Sequence, residues 1–175
     1  MDPFPNNSLP LQGLGLSFGS VEWNHPRFPT LHERAALLAT RLPRWAIASG
    51  TTAGWVWTGM GMPEPWEVLR PPRPALSPLQ RTLWSAREQN PRHHIIQRMS
   101  GLTLLSAEAT AREVLFSSTP VDSRAAQLWV LESFCRRPLA TLLSDRKSTV
   151  SARGNAQRAL IALAGLRENY PDITR

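Results

Sequence analysis

Apolar side chains return every three or four positions early in the chain, over residues 30–42. Thr30 comes directly before the first apolar position, and Glu33 stands three positions after Thr30, which is the spacing of a helix capping box. Pro43 cannot continue a helix, so the pattern predicts a helix that ends there. The apolar positions of this predicted helix are Leu31, Ala35, Leu38 and Leu42.

The next segment mixes small residues with large aromatic ones. Ser49 is a candidate N-cap for a short helix that runs to about Thr58. Trp55 stands two residues before Trp57, so the two rings must point to different sides of this helix. The helix is therefore either covered on both sides or exposes an aromatic ring. Its predicted apolar face holds Ala53, Val56 and Trp57.

Short runs of apolar and β-branched residues follow, separated by proline and glycine. The turn Ser100-Gly101 divides the last two runs. Short strands joined by turns are typical of antiparallel pairing, so a small, mostly antiparallel sheet is predicted over about residues 66–105. The strand candidates are 66–70, 81–84, 94–98 and 102–105.

From Ser106 onward the spacing of apolar residues is helical again. Ser106 is the predicted N-cap of a helix to about Phe116, and Asp122 or Ser123 caps another to about Cys135. A short helix is predicted at 138–144, and a long helix is predicted at about 151–168. The expected core positions of the last long helices are Ala126, Leu128, Val130, Leu131, Phe134, Ala156, Leu160, Leu163 and Ala164.

Helices, then strands, then helices again predict an α+β fold, with the sheet packed against N-terminal helices and a C-terminal helical bundle. Residues 1–29 are rich in proline, glycine, asparagine and serine and predict an irregular N-terminal arm. Residues 30–175 are predicted to form a single domain. We see no secretory signal and no apolar run long enough to span a membrane, and Cys135 is a lone cysteine. These features predict a cytoplasmic protein.

The net charge of +7 is concentrated in two segments. Residues 70–98 and 136–158 each hold six basic residues and one acidic residue, a net charge of +5 apiece, and the rest of the chain is acidic. Such a distribution attracts polyanions, although arginines also simply solvate helix faces. The residues predicted to contact nucleic acid or an acidic partner are Arg70, Arg73, Arg81, Arg92, Arg98, Arg136, Arg137, Arg146, Lys147, Arg153 and Arg158.

No motif for catalysis, metal binding or cofactor binding stands out. His93 and His94 are adjacent and point to opposite faces of a strand, so they cannot share one metal. The chain has no phosphate-binding glycine loop and no nucleophile elbow. Acidic residues are sparse after Glu132, which does not suggest a metal nuclease. We predict a protein that is not an enzyme and carries no cofactor or metal.

Two segments resemble AbiEi-like antitoxin proteins of bacteria. Residues 43–59, with Ser-Gly-Thr-Thr-Ala-Gly-Trp-Val-Trp-Thr-Gly at their end, resemble that family's Ser-x-x-Ser-Ala-Ala-x-Leu-x-Gly helix. Residues 95–98, followed by 100–115, are similar to its Gly-Leu-x-Val-Thr-Ser-x-x-Arg-Thr-Leu-Leu-Asp strand-to-helix segment. The resemblance covers about 43–168. It does not extend to the family's usual N-terminal winged helix or to the Vsr-like nuclease that some relatives carry.

The resemblance implies a DNA-associated regulator of transcription from a toxin–antitoxin or phage-defence system. Our first hypothesis is a non-enzymatic antitoxin-like protein that contacts double-stranded DNA through its two basic segments, in a salt-dependent manner. A second hypothesis is an interaction module that docks an acidic protein such as a cognate toxin. A third is a nuclease whose site only the fold assembles.

Overall fold

The computed structural model describes residues 17–18, 21–22, 29–61, 65–70, 77–88, 95–143 and 149–169. In the N-terminal arm, strands β1 (Ser17–Phe18) and β2 (Val21–Glu22) form a two-stranded antiparallel ladder. The other residues predicted to form the irregular arm, up to 28, lie outside this description.

Helix α1 (Leu31–Arg41) begins as predicted with a capping box. The Glu33 N–H donates to Thr30 Oγ1 at 3.3 Å, and the Thr30 N–H donates to Glu33 Oε2 at 2.7 Å. Both amides lack partners inside the helix, so the two side chains satisfy them reciprocally. The sequence therefore predicted this helix start correctly.

Helix α2 (Gly50–Thr58) follows the two-residue strand β3 (Ile47–Ala48) and is buried on all sides. Trp55 is only 1% exposed, which settles the alternatives for this helix in favour of cover on both sides. Gly59 ends the helix with a φ of +75°, where its N–H donates to the carbonyl of Trp55. This left-handed ending is typical of glycine, which has no Cβ to clash.

The other strands are β4 (Trp66–Arg70), β5 (Trp84–Glu88), β6 (Ile96–Met99) and β7 (Leu102–Leu105). Together with β3 they form a mixed sheet in the order β5-β4-β3-β7-β6. The pairs β3–β4 and β6–β7 are antiparallel, whereas β4–β5 and β3–β7 are parallel. The α+β class is confirmed, but the sheet is not mostly antiparallel, and it includes β3, which precedes the predicted range of 66–105.

The prediction of a strand over 81–84 is wrong. Residues Pro78–Leu83 form helix α3, and β5 starts directly after it at Trp84. Proline is well tolerated at the first position of a helix, because the N–H it lacks has no helical partner there. The helix lets the chain return to the start of β4, so that β5 pairs parallel to it.

Four helical segments follow the sheet. Helix α4 starts after Ser106, whose hydroxyl accepts from the Ala109 N–H at 3.4 Å, as predicted. The next long helix is capped by Pro120 rather than by Asp122 or Ser123, and Asp122 instead lies in its first turn. An acidic side chain there favours the positive end of the helix dipole. The bounds are α4 (Ala107–Leu115), α5 (Val121–Glu132), a 3₁₀ helix (Leu139–Leu143) and α6 (Val150–Asn169).

The core lies on both faces of the sheet centre. Val68 and Leu69 are consecutive on β4 and point to opposite faces, yet they are 0% and 1% exposed. Helix α2 contacts β4, α4 and α5, while α1 contacts β6 and β7. Within the described residues no helix combines the length and the apolar character that crossing a membrane requires.

Two expected core positions face solvent. Phe134 is 44% exposed, because α5 ends at Glu132 and Phe134 no longer follows its helical spacing. Ala164 is exposed because α6 buries a narrow stripe, to which Leu163 belongs and Ala164, turned by about 100°, does not. The buried residues of that stripe are Ala156, Ala159 and Leu163.

Candidate functional site

The basic residues of the two charged segments do not all lie together. Some fall outside the described residues, so their positions stay predictions. These are Arg73, Arg92, Arg146 and Lys147. The others are distributed over the β4–β5 side of the sheet, the opposite edge of the sheet with the end of α5, and α6. They are Arg70, Arg81, Arg98, Arg136, Arg137, Arg153 and Arg158.

On the β4–β5 side two arginines form ion pairs with glutamates. The parallel register sets Arg70 opposite Glu88, and their side chains form an ion pair of 3.0 Å. Arg87 pairs with Glu113 of α4 at 2.8 Å. Exposed pairs of this kind contribute little to stability but remove free positive charge. The predicted basic surface of the segment 70–98 stays a prediction, because Arg73 and Arg92 lie outside the described residues.

Arg98 lies on β6, at the opposite edge of the sheet. Four strand spacings, about 19 Å, separate β6 from β5. The Arg98 side chain is exposed and forms no ion pair with any described residue. The described arginines of segment 70–98 are therefore split between the two edges of the sheet, with Arg98 at this one.

A cleft of about 590 Å³ opens beside β6, between that strand, the start of α4 and the segment after α5. We call it the β6 cleft. Phe134 contributes a half-exposed ring and contacts Trp57 at 5.3 Å between ring centroids. Trp57 is held by its own hydrogen bond, since Nε1 donates to the carbonyl of Leu105 at 3.0 Å. The cleft is lined by Trp57, Ile96, Gln97, Ser106, Ala107, Glu108, Phe134 and Arg136.

Arg136 lines this cleft, and Arg98 and Arg137 directly follow the lining residues Gln97 and Arg136; we call Arg98, Arg136 and Arg137 the cleft rim. Ile96 and Arg98 are two positions apart on β6, so both side chains lie on one face of the strand. Glu108 accepts the Arg136 N–H at 3.0 Å and lies 3.6 Å from Arg137 Nε. The rim thus has three cations against one carboxylate, and that carboxylate is engaged by Arg137. Gln97, the neighbour of Arg98 in the first segment, lines the same cleft as Arg136 of the second segment.

Helix α6 carries another basic region, which includes Arg153 and Arg158. The buried Arg124 of α5 donates from Nη1 to the carbonyls of Leu115 and Asn155, at 3.1 and 3.3 Å. Burial lowers the pKa of Arg124, and the positive charge of Arg158 lowers it further. Two guanidinium groups therefore lie close together, and neither forms an ion pair with a described residue.

The same part of α6 forms a shallow groove of about 440 Å³, which we call the α6 groove. A Cβ added at Gly154 would meet no atom within 4 Å, so the helix backbone is openly accessible there. Arg153 is exposed on the same turn. Hydroxyl, amide and guanidinium groups of this kind contact phosphates in nucleic-acid complexes. The groove is lined by Ser151, Gly154, Gln157, Arg158 and Ile161.

Sequence reasoning missed a polar cluster at the start of α2. The Gly50 N–H donates to Glu113 Oε2 at 2.6 Å, and Thr51 Oγ1 donates to Glu67 Oε1 at 3.0 Å. Ser49, the predicted cap, makes no capping bond, and its buried Oγ has no hydrogen-bond partner among the described residues. Glu113, from a distant segment, accepts the first N–H of this helix instead, and Glu67 binds the side chain of Thr51; no local signal in the sequence indicates either contact.

The described residues contain no group of three or more histidine, cysteine, aspartate or glutamate side chains that could hold a metal. The thiol of Cys135 is half-buried, and burial, with the nearby charge of Glu108, raises its pKa to about 11. Such a thiol is almost entirely protonated at neutral pH and is a poor nucleophile. The prediction that the chain is not an enzyme stays a prediction.

Comparison of the chain with protein-family models, with curated proteins and with solved structures gives no match.

Proposed function

We propose that this chain is a non-enzymatic, antitoxin-like regulatory protein of the bacterial cytoplasm that contacts double-stranded DNA, with the α6 groove as its phosphate-contacting surface. The observation that carries the proposal is the closeness of Arg124 and Arg158, which both donate to Asn155, without a paired carboxylate among the described residues. A positive field that is not cancelled by neighbouring acids attracts a polyanion. The resemblance of 43–168 to AbiEi-like antitoxins supports a regulatory role.

The form of the groove supports the same proposal. Positions 151, 154, 158 and 161 follow the three- and four-residue spacing of one helix face, and the helix is twenty residues long. Gly154 lets a phosphate backbone approach the helix closely. Contacts of this kind position DNA without reading its sequence, so the proposal specifies affinity for duplex DNA and no operator sequence.

The test is a salt titration of duplex binding by fluorescence polarisation with the full chain. The double variant Arg153→Ala/Arg158→Ala removes two candidate phosphate contacts. We expect the slope of log K against log salt to decrease by about 1.8, because each phosphate contact contributes about 0.9. The matched control is Arg44→Ala, which removes an exposed arginine next to Trp45, a residue that packs on Trp84 of β5.

A second pair of variants tests the groove by adding charge. Gly154→Glu and Gly165→Glu both place a carboxylate where a Cβ meets no atom within 4 Å, so neither causes a clash. The two sites are about 16 Å apart along α6, beyond the screening length of about 10 Å at 0.1 M salt. Gly154→Glu should weaken DNA binding much more than Gly165→Glu. No binding by the natural chain at about 50 mM salt, or an unchanged slope in the double variant, would refute the proposal.

A further inference from the structure

The outer edge of β6 offers backbone hydrogen-bonding groups. The turn residues Ser100 and Gly101 have φ values of 46° and 82°, as in a type I′ turn. In a two-residue hairpin of this type the closing pair, here Met99 with Leu102, exchanges its hydrogen bonds across the ladder. The N–H and C=O groups of that pair therefore point toward β7.

Antiparallel pairs alternate, so the next residue of β6 has the opposite orientation. The N–H and C=O groups of Arg98, and of Ile96 two positions before it, point away from β7. No turn, loop or cap hydrogen bond of the described backbone involves either residue. A strand edge of this kind, which no described strand pairs, is a template for another strand.

The β6 cleft opens beside the same strand. Ile96 lines the cleft, and Arg98 lies on the same face of the strand. A strand added to β6 would therefore set alternate side chains over the cleft, where the half-exposed ring of Phe134 offers an apolar contact. The edge of β6 that presents backbone hydrogen-bonding groups therefore lies next to a cleft that can receive side chains. Proteins that bind peptides by strand addition have this arrangement.

The positive charge of the cleft rim indicates which class of partner fits the edge of β6. Arg98 and Arg136 form no side-chain ion pair with the described residues, and the one carboxylate of the cleft, Glu108, is engaged by Arg137 and by the Arg136 N–H. A second copy of this chain, with a net charge of +7, would bring arginine against arginine at the edge. Nucleic acid has no peptide groups to pair with the strand edge. The complementary partner is an acidic polypeptide.

We infer that β6 binds an extended acidic segment of a partner protein as an added strand, with apolar side chains on Phe134 and carboxylates on Arg98 and Arg136. This inference does not rest on DNA binding, because its residues lie on β6 and after α5, not in the α6 groove. It turns the general possibility of an acidic partner into a defined surface and a defined binding mode.

The experiment uses the full chain and a fluorescein-labelled heptapeptide whose odd positions alternate glutamate and valine and whose even positions are threonine, so that carboxylates and apolar side chains project from the same face of the added strand. Two further peptides carry N-methyl groups on odd or on even residues, which removes the N–H donors of one edge or of the other. Only one edge of an added strand pairs with β6, so one methylated peptide should bind about tenfold more weakly and the other should not. The same peptide with lysine in place of glutamate should not bind.

Protein variants separate this site from the α6 groove. Arg98→Ala/Arg136→Ala should weaken binding of the glutamate–valine peptide about tenfold, whereas Arg44→Ala and Arg153→Ala/Arg158→Ala should not. No binding of the unmodified peptide, or equal binding of both methylated peptides, would overturn the inference. It would also be overturned if the Arg98→Ala/Arg136→Ala variant lost duplex affinity as strongly as peptide affinity, since the cleft would then serve nucleic acid.

Discussion

Replacing Gly50 by alanine tests how the start of α2 is held. Gly50 has a φ of +50°, and a Cβ at this position would lie 1.7 Å from Glu67 Oε2. The carboxylate of Glu67 must therefore move, and in moving it loses the hydrogen bond that it accepts from Thr51 Oγ1 at 3.0 Å. The substitution combines a strained backbone with a displaced side chain.

Backbone strain and the lost hydrogen bond each contribute to the destabilisation. A non-glycine residue in the left-handed region costs about 1–2 kcal/mol. The lost hydrogen bond of Thr51 costs about 1 kcal/mol. We expect Gly50→Ala to lower the free energy of unfolding by about 2–3 kcal/mol, a large part of the stability of a typical domain.

Gly101→Ala is the matched control. Gly101 has a φ of +82°, but an added Cβ would meet only the Cβ of Ala39, at 3.6 Å, which is an ordinary contact. This variant has the backbone cost of about 1–2 kcal/mol and no displaced partner. Urea unfolding followed by tryptophan fluorescence measures both variants, and the chain contains seven tryptophans.

A double-mutant cycle with Glu67→Ala isolates the second cost. Once the Glu67 carboxylate is absent, Gly50→Ala should cost only its backbone term, so the cycle should give a coupling of about 1 kcal/mol. If Gly50→Ala is no more destabilising than Gly101→Ala, or if the coupling is zero, Glu67 does not hold the start of α2 in the way described.

Arg34 and Cys135 give further predictions. Arg34 is buried at the end of α2, where Nε donates to the carbonyl of Val56 at 2.9 Å and Nη2 to that of Trp57 at 3.3 Å. Arg34→Ala should destabilise by about 3 kcal/mol in urea unfolding, and Arg34→Lys should restore little, because an ammonium lacks the guanidinium fork. The pKa of Cys135 is raised from 9.0 to about 11, so the folded state holds the thiol proton longer. The contribution of this thiol to the free energy of unfolding is therefore fully present below pH 9.0 and is lost as the pH rises toward 11. Urea unfolding at several pH values should show this loss in the natural chain and not in Cys135→Ala.

Local signals in the sequence predicted most of the helices. The capping box of Thr30 and Glu33 and the cap at Ser106 involve residues three positions apart, so their physics is contained in a short window. Trp55 shows the limit of such a window. The sequence required its ring to point away from that of Trp57, but only the packing of α2 between other elements shows that it is buried.

The sheet and the candidate surfaces depend on contacts between distant segments. The mixed topology follows from the return of the chain through α3, in a segment whose residues also suit a strand. Counting charges along the sequence identified the arginine-rich segments. It did not reveal the ion pair of Arg87 with Glu113, because these two residues meet only in the folded chain. The β6 cleft likewise needs Arg98 and Arg136 to come together across the fold, and no local pattern expresses that.

The shortness of β3 has a consequence for the order of events during synthesis. Its residue Ala48 pairs with Val68 on one side and with Leu104 on the other, and the second partner emerges from the ribosome much later. Until then the half-sheet of β3, β4 and β5 has β3 as its open edge, a place where incomplete chains can associate with one another. Because β3 contains only two residues, Ile47 and Ala48, the nascent chain offers very few unpaired peptide groups there while it waits.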